Sequence, residues 1–232
     1  MEPQTFSLPE NNPFPTLDVE ISRLNKFFTS LDPQNWKAAT HCQGWTVRDM
    51  VAHLDSDEEY NQACLNDTVG TLIADFTSLD DFNNRQIQKR ADLSNEEILH
   101  RWRDRQAHVR ERWEELGLKA KIPTFIGPYP LLAQIWHITS EYATHADDMG
   151  VPVLPADQNP RLMWRFQFSA FAVQEKKNPP GLARKGNRMM VFTDQQRLSL
   201  SEKDFVSAVS ARLPIPKDPG DRKLLAALRA LA

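Results

Sequence analysis

The stretch Gly44-Trp45-Thr46-Val47-Arg48-Asp49-Met50-Val51-Ala52-His53-Leu54 decides the fold. Thr46 has the side chain of a helix N-cap, and Asp49 stands three residues later, where a capping-box carboxylate reaches back to the cap. The reading predicts a helix from about Val47 to about Leu65, with Met50, Val51 and Leu54 on its inner side.

Three more helices flank it. Leu17, Ile21, Leu24, Phe27, Phe28 and Leu31 recur at three- and four-residue steps, the period of an amphipathic helix. Ser94-Asn95-Glu96-Glu97 is a second capping box, opening a long helix to about Leu116 with Ile98, Trp102, Val109 and Trp113 as its inner stripe and Gly117 as its stop. A turn region from Ile122 to Pro130 precedes a fourth long helix, about Leu131 to Met149, stopped by Gly150 and Pro152. Four such helices predict an antiparallel bundle. Residues 67–93 are mixed, with a short helix over Phe82–Lys89. Residues 1–16 are a polar, proline-rich, irregular lead-in. Past Pro152, Pro155 and Pro160, the region 154–232 is expected as a small α or α+β appendage: helices over Arg161–Gln174, Glu202–Leu213 and Arg222–Leu231, a turn at Pro179-Pro180-Gly181 and a strand at Arg188–Phe192.

Composition narrows the function. The 232 residues carry 28 basic and 31 acidic side chains, a net charge of −3 that argues against an extended nucleic-acid surface. The arginines from Arg101 to Arg112 share their helix with Asp104, Glu111, Glu114 and Glu115, the pattern of a solvated face. No apolar run reaches the roughly 18 residues of a membrane span, and residues 1–15 lack the basic start and apolar core of a signal peptide. Two cysteines, Cys42 and Cys64, make no disulfide framework, so a cytoplasmic protein is expected. Eight glycines form no phosphate-cradling loop pattern. The expected partner is a small-molecule substrate, and the chain a monomer or homodimer.

Chemistry concentrates on two helices. Glu141 and His145 are one turn apart on one face and flank the apolar stripe Leu131, Ile135, Ile138, Tyr142 and Met149. A carboxylate there needs a partner, and a divalent cation is one. His53 lies beside the apolar stripe of its own helix. Two side chains from one helix and one from another could supply three N/O ligands with an open position, the pattern of catalytic zinc, although a Glu-x3-His pair is also common as an ordinary surface or core pair. His137 stands in the same row as Glu141 and His145, but residues eight apart are separated by about 12 Å along the axis. Either His137 or His145 is therefore structural. Asp49 and Asp57, one turn either side of His53, are candidate orienting groups or solvated acids. Cys64 shares the face of His53 at about 16 Å and reads as a packed thiol; Cys42, near His41 at a helix start, reads as structural or inert. Trp45 anchors the helix entry, and Asn83 is a helix cap or a group at the pocket mouth.

Trp36, the run Cys42–Leu54, and Glu141-Tyr142-Ala143-Thr144-His145-Ala146-Asp147-Asp148-Met149-Gly150 resemble the two signatures of the metal-binding domain of mycothiol-dependent maleylpyruvate isomerases. That domain belongs to the DinB/YfiT-like superfamily of four-helix metalloenzymes. Phe82-Asn83 and Trp102 also stand where similar residues occur in that family. The resemblance covers residues 17–153 and implies a DinB-like bundle whose metal ligands are His53, Glu141 and His145, leaving His137 structural. It further implies a divalent ion, Zn2+ first and Ni2+, Fe2+ or Mn2+ as alternatives, and mycothiol or another low-molecular-weight thiol as co-substrate for an isomerase or S-transferase. The family's C-terminal domain resembles sterol-carrier proteins and supplies an arginine; the tail here is short, and Arg184, Arg188, Arg197, Arg212 and Arg222 are the candidates. The alternatives are thiol-independent chemistry on the same metal scaffold, or a non-catalytic binding module.

Overall fold

The computed structural model describes residues 2–231. It divides into two compact units: Pro13–Val151, and the residues up to Asn12 together with those from Pro152 onward.

The first unit is built on four long helices, α1 (Phe14–Thr29), α2 (Val47–Leu65), α5 (Asn95–Leu116) and α6 (Leu131–Asp148), with two short ones, α3 (Val69–Ile73) and α4 (Leu79–Gln88), between α2 and α5. α2 packs against α5, and α1 against α6. The predicted caps are present. Thr46 and Asp49 form a reciprocal capping box on α2, and Ser94 and Glu97 form one on α5. α1 starts three residues before its expected position because Pro15 sits in the first turn, where its missing N–H and fixed φ are tolerated. Gly117 ends α5 at φ +77°, a conformation that favours glycine.

The inner stripes meet as their spacing predicts. Leu17, Leu24 and Phe28 of α1, Ile98, Trp102, Val109 and Trp113 of α5, and Ile135, Ile138 and Tyr142 of α6 are all buried. Phe28 stacks on Trp36 and meets the edge of Trp102. The proline-rich turn region contains a hairpin that the sequence reading missed, β1 (Lys121–Thr124) paired antiparallel with β2 (Gly127–Pro130). Pro123 and Pro128 lie opposite each other in this two-stranded piece, so neither removes a ladder bond from a third strand. The Phe125 N–H donates to Tyr60 of α2, tying down the hairpin tip.

Arg48, part of the first signature, is a structural cap. Its guanidinium donates to the carbonyls of Arg90, Ala91 and Leu93 at 2.6–3.0 Å, covering the chain just past α4.

A second polar network runs through the bundle core. The Trp102 indole N–H donates to Tyr142 Oη, the Tyr142 hydroxyl donates to Glu58, and Asn61 donates to the other oxygen of Glu58 while accepting from Gln134. Burial raises the Glu58 carboxyl from 4.5 to about 7, against the lowering effect of its Tyr142 and Asn61 donors. A carboxyl raised on folding binds its proton more tightly in the folded state. The associated stability is complete below pH 4.5 and is lost as pH rises through 7, by about 3 kcal/mol in all. Glu58→Gln should therefore lack this loss. Denaturant titrations at pH 5 and pH 8 should find the variant gaining on the wild type as pH rises; parallel behaviour of the two proteins would refute it.

The second unit holds α7 (Pro155–Gln174), a three-stranded antiparallel sheet in the order β3 (Gly181–Lys185), β4 (Arg188–Phe192), β5 (Arg197–Ser201), then α8 (Glu202–Val209) and α9 (Pro219–Leu228). The strand expected at Arg188–Phe192 is thus the centre of a meander, the β of an α+β tail. α7 starts six residues before the expected Arg161, with Pro155 in its first turn and Pro160 inside it. Phe166, Phe168 and Val173 of α7, Leu182, Met189 and Val191 of the sheet, and Phe205 and Val209 of α8 form the core of this unit. The Gln4 N–H donates to Leu182 O and its side chain accepts from the Arg184 N–H, so the N-terminal segment lies along the outer edge of β3. No helix among the described residues is long and apolar enough to cross a membrane.

Candidate metal centre

His53 projects from the second turn of α2, and Glu141 and His145 project from the last two turns of α6. His53 Nε2 and His145 Nε2 are 3.1 Å apart, and His145 Nε2 is 3.1 Å from Glu141 Oε2. The three donor atoms all lie within 4.8 Å of one another. Both imidazoles are 5% exposed, and Glu141 is about one-third exposed, leaving the cluster open on its side. The Trp45 ring lies 5.0 Å from the His53 ring and covers it, a second task for a residue read as a helix anchor.

These donors suit a divalent ion. Ligands held 2.0–2.1 Å from a tetrahedral ion are separated by about 3.3 Å. Two imidazole nitrogens at 3.1 Å cannot both carry protons toward each other; one N–H···N hydrogen bond or one shared cation satisfies the contact.

The far side of His145 fixes its orientation. His145 Nδ1 is 3.0 Å from Asp148 Oδ2, a contact that keeps a proton on Nδ1 and turns Nε2 towards His53 and Glu141. Burial disfavours a charged His145. Hydrogen bonds with Asp148, Cys42 and Glu141 outweigh that and hold its pKa well above the ordinary range. Asp148 is itself anchored at its backbone, where the His41 N–H donates to Asp148 O at 3.0 Å.

Of the two acids considered as orienting groups, only Asp57 reaches the centre. Its Oδ2 is 3.4 Å from His53 Nε2, and burial together with the charge of Glu141 pushes its carboxyl up, against the pull of His145. Asp49 is taken up by the capping box, accepting from the Thr46 N–H at 2.9 Å and the Thr46 hydroxyl at 2.7 Å. His137, in the same row as Glu141 and His145, is 3.1 Å from the Tyr129 hydroxyl.

Cys64 is buried beside Tyr60, and burial raises its thiol to about 11. Cys42, read as structural or inert, stands at the centre's edge: its Sγ is 3.1 Å from Asp148 Oδ2 and 3.9 Å from His145 Nδ1. Nothing in the spacing of residues 42 and 145 indicates that meeting. Asn83 lies on α4. Among the tail arginines, Arg184 pairs with Glu202 and lies over Phe166, Arg188 binds Ser199, and Arg212 and Arg222 donate to backbone carbonyls. All of these contacts lie within the second unit.

Residues 17–150 match the family model of the mycothiol maleylpyruvate isomerase N-terminal domain. Two crystal structures of the mycothiol-dependent maleylpyruvate isomerase, one of them a histidine-to-alanine mutant, share the fold. Identities are 16% and 15%, the TM-score is 0.54 for each, and 68% of this chain covers 68% of theirs. The fold is therefore DinB-like and mainly helical, with a small sheet towards the C-terminus. No curated protein sequence matches the chain.

Proposed function

The chain belongs to the mycothiol maleylpyruvate isomerase N-terminal domain family, and from this premise we propose a metal-dependent enzyme that activates a low-molecular-weight thiol for attack on a small electrophile. The observation that carries the reading is the convergence of His53 Nε2, Glu141 Oε2 and His145 Nε2 from two helices. These three residues would hold a divalent ion, Zn2+ in the first instance, with Ni2+, Fe2+ and Mn2+ compatible with the same donors. Bound there, such an ion lowers the pKa of a coordinated thiol and keeps it as a thiolate.

The chain's own residues do the rest. Asp148 keeps the proton of His145 on Nδ1 and so presents Nε2 as a donor. Trp45 packs its ring beside His53. Glu141, the most exposed of the three, marks the side from which thiol and electrophile enter. Mycothiol is the thiol that the family suggests. An isomerase results when the thiol adds and leaves again, and a transferase when it stays on the product. The reading suits a soluble cytoplasmic monomer or homodimer acting on a small molecule.

Elemental analysis of the purified protein tests it. About one ion per chain is expected in the wild type, and His53→Ala and Glu141→Ala should each lose it. A full complement retained by either variant refutes the ligand assignment. Asp148→Asn should weaken metal affinity by about 10–100-fold, since the amide is a poorer acceptor for the Nδ1 proton; competition with a chromogenic chelator reads this directly, and unchanged affinity would remove Asp148 from the site.

One observation favours a second reading, in which the metal scaffold runs thiol-independent chemistry. The family match ends at residue 150, so the unit from Pro152 onward lies outside it. Calorimetry of the zinc-loaded protein with mycothiol and other small thiols separates the two, because binding of none of them selects the thiol-independent reading.

A further inference from the structure

The imidazole of His145 has two donor sets, one at each nitrogen. Nε2 faces His53 and Glu141. Nδ1 faces a second group on the opposite edge: Cys42 Sγ, Asp148 Oδ2 and Nδ1 itself, separated by 3.1 Å (S to O), 3.9 Å (S to N) and 3.0 Å (N to O). Each of these residues offers an atom within 4.8 Å of the other two. A tetrahedral ion with a metal–sulfur bond of 2.3 Å and a metal–nitrogen bond of 2.0–2.1 Å spaces those two ligands by about 3.5 Å. The observed separations bracket that value, so sub-ångström adjustments would bring all three onto one ion.

The segment that presents the thiol is preorganised. The Cys42 N–H donates to Thr40 Oγ1, Cys42 O accepts from the Trp45 N–H, and the His41 N–H is bonded to Asp148 O. Residues 40–45 are thereby tied to the end of α6, with Cys42 partly exposed while Asp148 and His145 are buried. An ion can therefore approach past the sulfur.

We infer that Cys42, Asp148 and His145 Nδ1 form a second metal site, selective for thiophilic ions and mutually exclusive with the site at His145 Nε2. Selectivity follows from the donors. A thiolate favours soft ions, whereas the His53–Glu141–His145 set contains only nitrogen and oxygen. Exclusivity follows from the ring. A neutral imidazole has one N–H and one lone pair, so ligation at Nδ1 sends the ring proton to Nε2 and removes a ligand from the first set. An ion bound here displaces the thiol proton to solvent and moves the ring proton of the neutral imidazole from Nδ1 to Nε2; no group changes oxidation state. The consequence is a built-in sensitivity: a thiophilic ion disables the first site by taking its histidine, without competing for His53 or Glu141. The inference goes beyond the proposed function and does not require it.

The test is a cadmium titration of the metal-stripped full-length protein under a phosphine reductant, followed by the ultraviolet thiolate-to-cadmium charge-transfer band. The band should saturate at one equivalent in the wild type, in Cys64→Ser and in His53→Ala, and should be absent in Cys42→Ser. In zinc-loaded wild type, release of zinc to a fluorescent indicator should rise in step with the band. A band that survives in Cys42→Ser, or that vanishes in Cys64→Ser, overturns the site. A band that saturates while zinc stays bound overturns the exclusivity. If the wild type never takes up zinc, the proposed function fails on that count, while the cadmium arms on Cys42→Ser and His53→Ala still decide this site.

Discussion

Replacing Arg90 by Met is expected to lower the stability of the helical unit by about 3–5 kcal/mol, the cost of leaving a buried charge without its partner. Arg90 is 1% exposed. Its guanidinium donates to Asp55 at 2.6 Å, to Glu59 at 2.7 Å, and to the backbone and side-chain oxygens of Gln86 at 2.9 Å. Asp55 is wholly buried, and its other cations, Arg105 and Arg101, are more distant at 3.4 and 3.8 Å. Urea denaturation at neutral pH provides the measurement. A loss below about 1 kcal/mol would mean that Arg105 moves in to take over the carboxylate.

The same substitution should change the acid limb of stability. Burial alone would raise Glu59, but its hydrogen bonds to Lys89 and Arg90 and the charge of Arg105 lower it to about 2. A depressed carboxyl contributes stability that is present above pH 4.5 and lost as pH falls towards 2. Without Arg90 this slope should flatten, with Lys89 and Arg105 retaining part of it.

Trp102→Ala should cost a similar amount, about 3–5 kcal/mol. The ring has no exposed surface and meets both Phe28 and Tyr142 edge-on, at centroid distances of 5.7 and 5.9 Å. Its N–H is the donor to Tyr142 Oη at 3.0 Å, so truncation both opens a cavity and breaks the chain that ends on Glu58. Trp102→Phe separates the contributions. It keeps most of the volume and should cost only about 1–2 kcal/mol for the lost hydrogen bond. Equal losses in the two variants would show that the hydrogen bond, not the packing, carries the effect.

Local signals were the legible part of this fold. Thr46 with Asp49 and Ser94 with Glu97 announce helix starts by a mechanism confined to four residues, and the 3.6-residue stripes locate the buried faces of α1, α5 and α6. The hairpin at Lys121–Pro130 was hidden because prolines at positions 123, 128 and 130 suppress a strand reading, although a two-stranded piece tolerates them. Two flanking strands of the second sheet escaped for a related reason. Gly181–Lys185 and Arg197–Ser201 are only five residues each; Leu198 and Leu200 do alternate with polar neighbours, but so short an alternation becomes decisive only through pairing with Arg188–Phe192.

The candidate site divides in the same way. Glu141 and His145 are visible as a one-turn pair, whereas His53, 88 positions before Glu141 in the chain, joined them only as one possible third ligand until the resemblance selected it. The structure brings the three together. The meeting of Cys42 with Asp148 depends on how residues 40–45 fold back on α6, a tertiary matter with no periodic signature. Asp49 shows the converse: its position one turn before His53 suggested the site, but a local cap claims both its contacts.

The bonding of Gln4 to Leu182 and Arg184 has a topological consequence. The segment before Pro13 and the residues from Pro152 onward belong to one unit, so the helical unit is inserted within it. A protein begun at Pro13 would strip the cover from β3 and expose an open backbone ladder, a template for self-association. Trimming the N-terminal segment would thus harm a sheet that lies some 180 positions further along the sequence.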